Sequence, residues 1–105
     1  MARFDVYRNP NAATAKRFPF LLAVQSDILA DLATQVVVPL GKANVVANRP
    51  ADRLTPVLDV DGEALVMFTP ELGPIPQTQL RKHVTNLEAQ RDRIRDALDF
   101  LFSGC

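Results

Sequence analysis

The sequence predicts a mainly β domain with a C-terminal α-helix, in the simplest arrangement a partly open barrel or curled antiparallel sheet with the helix packed against it. Three observations support this fold class. Alternating, apolar and β-branched segments typical of short strands occur along most of the chain, and the period of a helix appears only near its end. Eight prolines against four glycines impose many segment ends, so the strands should be short. One Asp-Gly pair between two apolar runs indicates a tight hairpin.

Two strands are predicted in the N-terminal part of the chain. Arg3–Arg8 alternates strictly, with Phe4 and Val6 on the same face, which is typical of a half-buried strand. Phe18–Val24 is apolar almost throughout, which indicates a strand covered on both faces.

The central part of the chain favours sheet as well. Gln35–Leu40 contains three consecutive valines and Ala43–Val46 is again apolar, so we expect two short strands or one bent strand there. Prolines punctuate the region around Ile75–Leu80, which predicts at most a short edge strand.

The hairpin signal lies at Asp61-Gly62, between the apolar runs Thr55–Val60 and Glu63–Phe68. The run Asp59-Val60-Asp61-Gly62 also looks like the first half of a calcium loop. The later ligands of such a loop are absent, so we interpret the segment as a tight antiparallel hairpin.

A C-terminal amphipathic helix is predicted from Asn86 onward. Thr85 with Glu88, or Asn86 itself, can cap its first turn, and Gly104 lies where a helix commonly ends. Its apolar stripe consists of Leu87, Ile94, Leu98, Leu101 and Phe102, with Ala97 beside them.

This apolar stripe continues to within three residues of the C-terminus, where helices usually fray. Two explanations stay open for Leu98, Leu101 and Phe102: the protein's own core covers them, or a symmetric partner or a target protein does. Both hold if different turns of the helix have different roles.

Charge and composition exclude several classes of function. Twelve basic and twelve acidic residues give a net charge of zero, so we expect no direct contact with nucleic acid. The longest apolar runs are far too short to span a membrane, and without a secretory signal the chain is expected in the cytoplasm as a single domain, residues 1–105. One cysteine and one histidine cannot build a structural zinc site, and no cofactor is expected.

No residue gives positive support for catalysis. His83 lies in a polar segment and is interpreted as a solvated surface residue. Ser26 and Asp27 follow a strand and are expected to close a turn, and Cys105 is expected to be an unreactive exposed thiol.

Six segments, in order and spread over the whole chain, together resemble a known family. They are Phe4-Asp5-Val6-Tyr7, Val24-Gln25-Ser26-Asp27-Ile28, Val38-Pro39-Leu40, Leu54-Thr55-Pro56-Val57, Ile75-Pro76 and the helix with Phe102-Ser103-Gly104-Cys105. The chain resembles the CcdB toxins of bacterial toxin–antitoxin modules, and the Val-Gln-Ser-Asp-Ile run is the most specific of the six.

The resemblance implies a fold and a mode of action. CcdB-like proteins are homodimers of an SH3-like barrel with a C-terminal helix, and they are not enzymes. They bind the A subunit of DNA gyrase and trap it on cleaved DNA. A CcdA-like antitoxin neutralises them through a disordered segment that folds on binding.

The family's gyrase-binding positions carry over to two places in this chain. The C-terminal end departs from the family pattern: Ser103 replaces a Trp, Cys105 replaces an Ile, and Asp99 stands where an Asn is usual. The implied gyrase-binding residues are Ile28, Leu29, Asp99, Phe102, Ser103, Gly104 and Cys105.

Two alternatives remain beside this hypothesis. The first is a CcdB-like dimer whose gyrase poisoning is lost or altered by the change at Ser103. The second is a MazF-like endoribonuclease on the same barrel, for which Lys16, Arg17 and His83 are the candidates to bind and cleave RNA.

Overall fold

The computed structural model describes residues 2–42 and 53–104 and shows a curled antiparallel half-barrel sheet with one C-terminal helix. This confirms the predicted fold class. Within the described residues the sheet has seven strands: β1 (Asp5–Arg8), β2 (Phe20–Ala23), β3 (Thr34–Lys42), β4 (Val57–Val60), β5 (Glu63–Met67), β6 (Gly73–Pro76) and β7 (His83–Asn86). The helix α1 spans Arg91–Ser103.

Strand β3 organises the sheet because it is long enough to have different neighbours at its two ends. The strands lie in the order β4-β5-β3-β2-β1-β7, and β6 pairs with β3 outside this path. Thr34 at the start of β3 lies opposite Pro76 of β6, whereas Leu40 near its end lies opposite Met67 of β5. The predicted strand at Gln35–Leu40 is confirmed. Ala43–Val46 lie outside the described residues.

The prediction that the first strand is half-buried was wrong, because both faces of β1 are covered. Phe4 and Val6 belong to the main core, while Tyr7 is packed in a second apolar cluster on the other face of the sheet. Asp5, on the same side as Tyr7, is only 7% exposed. Leu80 and Ile75 belong to the cluster that covers this second face. Beside β1 in the sheet lies β7, a strand that the sequence did not predict.

The hairpin at Asp61-Gly62 is confirmed. Strands β4 and β5 pair in antiparallel register up to Val60 opposite Glu63. Asp61 and Gly62 have φ of 52° and 89°, and positive φ at both central residues matches the right-handed twist of a two-residue hairpin. The Asp59 carboxylate accepts a hydrogen bond from the Gly62 amide at 2.8 Å, so it closes the turn.

The edge strand predicted at Ile75–Leu80 is displaced towards the N-terminus, to Gly73–Pro76. The Gln77 amide donates to the Ala33 carbonyl oxygen, and Ile75 lies opposite Gln35. In this register the two prolines of β6 fall at positions where β3 needs no N–H donor. A short 3₁₀ turn, Gln77–Gln79, then ends the strand.

The helix begins at Arg91, five residues later than Asn86, because the chain up to Asn86 pairs with β1. The predicted cap at Thr85 was therefore wrong. The Asn86 side chain instead accepts from the Glu88 amide at 2.8 Å and starts a 3₁₀ turn, Glu88–Gln90. Gly104 ends the helix as predicted, with φ of 71°.

The main core lies between the sheet and α1. Ile94 and Ala97 are fully buried in it, and Leu87 is buried just before the helix begins. Leu98 is half-buried and packs against the same cluster. Among the described residues there is no helix with the length and apolar character needed to cross a membrane.

Candidate partner-binding face

The turn after β2 exposes apolar side chains. Asp27–Leu29 form a short 3₁₀ turn, in which the Ile28 side chain is 91% exposed. Leu29 and, three residues later, Leu32 are about half exposed. An exposed isoleucine and two exposed leucines within five residues form an apolar patch of the kind that marks an interaction site.

Three side chains hold the backbone of this turn. The Gln25 side-chain amide donates to the carbonyl oxygens of Leu29 and Thr34, at 3.3 and 3.1 Å. The Gln77 side-chain amide donates to the carbonyl oxygens of Ala30 and Leu32, at 2.9 and 2.7 Å. At the start of the turn, the Ser26 hydroxyl accepts from the Ile28 amide at 3.3 Å. The patch is therefore presented on a backbone that several side-chain hydrogen bonds hold in place.

The last turns of α1 form a second region with an exposed apolar side chain. Phe102 is 72% exposed, whereas Leu101 beside it is half-buried. Asp99, Ser103 and Gly104 are exposed as well. The core therefore covers the first turns of the helix and leaves Phe102 open to solvent.

Helix geometry and a shared cavity connect the two regions. Arg95, Asp99 and Phe102 are four and then three residues apart, so they lie on one face of α1. Arg95 and Arg91 border a cavity of about 500 Å³ together with Asp27 of the apolar turn. The helix face that carries Asp99 and Phe102 therefore continues into the cavity beside the turn. We call Ile28, Leu29, Asp99 and Phe102 the turn–helix face.

A hydrogen-bonded cluster around Asp5 ties the N-terminal segment to the apolar turn. The Asp5 carboxylate accepts from the Ala2 amide at 2.8 Å, and the next amide, that of Arg3, donates to the Asp27 carboxylate at 2.7 Å. The Asn86 side chain donates both to Asp5 at 3.0 Å and to the Arg3 carbonyl at 3.1 Å. The cluster thus positions Asp27 at the start of the turn.

Two further groups contact Asp5 from β1 and β7. The Tyr7 hydroxyl donates to its carboxylate at 3.3 Å, and the His83 Nε2 lies 3.0 Å from it. The rings of Tyr7 and His83 meet edge to face, 5.5 Å apart. His83 is exposed, as predicted, but it contacts the most buried carboxylate described.

Burial and hydrogen bonding shift the pKa values of Asp5 and Tyr7. Burial alone would raise the pKa of Asp5, but hydrogen bonds from Asn86, Ala2 and His83 stabilise the carboxylate and hold its pKa below the ordinary value. Burial, followed by the nearby negative charge and the hydrogen bond of Asp5, raises the pKa of Tyr7 to about 12. The cluster is therefore built around an ionised aspartate and a neutral tyrosine.

The structure places the predicted site residues on exposed surface. Ile28 and Leu29 lie on the turn, and Asp99, Phe102, Ser103 and Gly104 lie at the end of α1. Cys105 lies outside the described residues. Sequence reasoning missed Leu32, which extends the apolar patch, and the glutamines that hold the turn.

The residues suggested for a ribonuclease are placed as follows. The Arg17 guanidinium lies over the Phe18 ring at 5.2 Å, in the loop before β2 that also contains Lys16. His83 contacts Asp5 and Tyr7 in β7. Within the described residues, no group of three His, Cys, Asp or Glu side chains is arranged to hold a metal ion.

The chain was compared with models of known protein families. A family model described as "CcdB protein" matches residues 3–104, which is nearly the whole chain. The match confirms the resemblance carried by the six sequence segments, including the Val-Gln-Ser-Asp-Ile run that leads into the apolar turn.

Proposed function

The chain belongs to the CcdB family, and we propose that it is a toxin that binds the A subunit of DNA gyrase through the turn–helix face. Membership of this family supports its assignment as the toxin of a toxin–antitoxin pair. In this proposal the protein acts by binding and has no catalytic residues. It interferes with the topoisomerase by stabilising the complex with cleaved DNA.

The observation that carries the proposal is the exposure of Ile28 and Phe102, at 91% and 72%. Burying an apolar side chain of this size contributes about 1.5 to 3 kcal/mol. A folded protein does not gain this contribution while such side chains stay in water, whereas a partner that covers them does. The fixed backbone of the turn adds to this, because little further ordering is needed on binding.

The departures from the family pattern affect the strength of binding. Ser103 removes a large aromatic anchor from the proposed interface, and such anchors commonly contribute about 2 kcal/mol or more. Asp99 adds a carboxylate that must find a donor in the partner or pay a desolvation cost. We therefore propose weaker or altered gyrase poisoning relative to family members that end in Phe-Trp-Gly-Ile.

Three further properties follow from the family and belong to the same proposal. The protein is a homodimer, it is neutralised by a CcdA-like antitoxin, and it acts in the cytoplasm, where gyrase lies. The antitoxin segment is expected to use sheet edges and grooves away from the last residues of α1. Antitoxin binding should then persist even where gyrase poisoning is weak.

A DNA cleavage assay with purified gyrase tests the proposal. The wild-type protein should increase the amount of gyrase covalently trapped on cleaved plasmid, and Ile28→Asn should reduce it. Val57→Asn is the control, because Val57 is also an exposed β-branched aliphatic residue but lies on β4, at one end of the strand order.

Two results would contradict the proposal. One is the absence of trapped gyrase at any concentration of wild-type protein. The other is equal trapping by the wild type and by Ile28→Asn. Tight antitoxin binding without any trapping would instead identify a dimer that has kept only its antitoxin partner.

A further inference from the structure

The pairing of β1 with β7 brings Arg8 beside two basic residues, Arg81 and Lys82, that are more than 70 positions away in the sequence. The Arg8 amide donates to the Lys82 carbonyl oxygen at 2.9 Å, which places the ends of the two strands side by side. Arg8, Arg81 and Lys82 then line one cavity of about 350 Å³, together with Asn9, Pro10 and Gln79. We call this cavity the basic pocket.

The basic pocket has an unbalanced charge. Its six described lining residues include three cations and no carboxylate. Asp5 lies in the neighbouring part of β1, but its carboxylate is buried and already contacts four groups, on Ala2, Tyr7, His83 and Asn86. The net charge of zero for the whole chain thus conceals a local excess of positive charge.

Two of the three cations are oriented by the protein. The Arg81 Nε donates to the Thr78 carbonyl oxygen at 2.9 Å, which leaves its two terminal nitrogens for another acceptor. The Arg8 guanidinium lies over the Phe20 ring, 5.9 Å from its centre. Both guanidinium groups therefore have a defined position before a ligand binds, which lowers the ordering cost of binding.

We propose that the basic pocket binds a phosphate group. One guanidinium group alone can satisfy a planar carboxylate through two parallel hydrogen bonds. Three cations around one cavity instead suit a tetrahedral acceptor whose oxygens point in several directions, and arginine and lysine are the usual phosphate-binding side chains. The phosphate belongs either to a free phosphate compound or to the backbone of a nucleic acid.

The test compares three probes on the full-length protein: inorganic phosphate, a short single-stranded oligonucleotide and a glutamate-rich peptide. Binding is followed by fluorescence anisotropy of the labelled oligonucleotide and peptide, and by NMR shifts of the arginine Nε–H groups. Phosphate should shift the Arg8 and Arg81 signals. Binding of the oligonucleotide as well would identify a nucleic-acid backbone as the source, and binding of phosphate alone would identify a free phosphate compound.

Variants with equal charge change make the test specific. Arg81→Gln and Lys82→Gln should each weaken binding of phosphate or of the oligonucleotide about tenfold. Each should also reduce by about one the slope of the logarithm of the oligonucleotide binding constant against the logarithm of the salt concentration. Arg93→Gln is the control, because Arg93 is exposed on α1 and lines a different cavity, beside β4. It should leave binding unchanged.

Three results would overturn the inference. The first is that neither phosphate nor the oligonucleotide binds. The second is that Arg93→Gln weakens binding as much as Arg81→Gln does. The third is that the glutamate-rich peptide binds and phosphate does not. The outcome is independent of gyrase, so it distinguishes failure of this inference from failure of the proposed function.

Discussion

At the scale of single residues, Asp5 shows how one buried charge can support a surface some distance away. Its carboxylate fixes Ala2, and the adjoining Arg3 amide fixes Asp27 at the start of the apolar turn. The sequence shows Asp5 only as a polar position in an alternating strand. Its importance depends on His83 and Asn86, which come from the strand that sequence reasoning did not predict.

Asp5→Asn should destabilise the fold at neutral pH by about 1.5 to 3 kcal/mol, because the amide replaces an ionised acceptor of several hydrogen bonds. The folded pKa of Asp5 lies below its unfolded value, so its contribution is present above the unfolded pKa and is lost as the pH falls through the folded pKa. Urea unfolding at a series of pH values should show the difference between wild type and variant shrinking in acid.

Asp31→Asn, at an exposed position outside the helix and the strands, provides the control for this series and should have little effect at any pH. A difference between wild type and Asp5→Asn that stays constant down to the acid end would contradict the role given to the Asp5 carboxylate.

Ser103→Trp tests the proposed cause of weaker gyrase binding. An aromatic ring beside Phe102 should restore an anchor and tighten binding to a gyrase A fragment about tenfold, which corresponds to about 1.4 kcal/mol. Surface plasmon resonance measures this directly. Unchanged affinity would show that the end of α1 does not form the contact.

At the scale of elements, the hairpin and the end of the helix are correctly predicted because each depends on local chemistry. The hairpin requires only that two successive residues, Asp61 and Gly62, adopt positive φ. The end of the helix requires positive φ only at Gly104. The start of the helix is wrongly predicted because Thr85 and Asn86 pair with β1, which is 80 residues away in the sequence. Long-range pairing overrides a local capping signal at this point.

Gly62→Ala should destabilise the β4–β5 hairpin by about 1 to 2 kcal/mol, because φ of 89° forces an alanine into a strained conformation. Thermal unfolding measures the loss. Gly73→Ala is the control, since its added Cβ meets no atom within 4 Å and its φ lies outside the positive region. Equal losses for the two variants would contradict this explanation.

Gln90 covers the edge of β4 that has no partner strand among the residues that the structure describes. Its side chain accepts from the Asp59 amide at 2.9 Å and donates to the Asp59 carbonyl at 2.7 Å. Gln90→Ala should therefore speed hydrogen exchange of the Asp59 amide by about tenfold, equivalent to about 1.4 kcal/mol of local protection. Gln79→Ala, in the turn after β6, should leave this amide unchanged, and an unchanged rate in Gln90→Ala would argue against edge protection.

At the scale of the whole molecule, the curled sheet packs apolar side chains on both of its faces. The main core lies between the sheet and α1, and a smaller apolar cluster lies on the opposite face. The family could be predicted from sequence because its motifs run along the entire chain. The support of the apolar turn could not, because Gln77 reaches it from a segment about 45 residues away. The basic pocket was hidden for the same reason, since only strand pairing joins Arg8 to Lys82.

The central claim is that the turn–helix face holds gyrase through exposed apolar side chains. Isothermal titration calorimetry of the protein with the A subunit of gyrase tests it most directly, with Phe102→Ala compared against Val57→Ala. We predict that the wild type binds, that Phe102→Ala weakens binding at least about tenfold, and that Val57→Ala binds like the wild type. Equal affinity of the wild type and Phe102→Ala, or no binding by the wild type, would contradict the account.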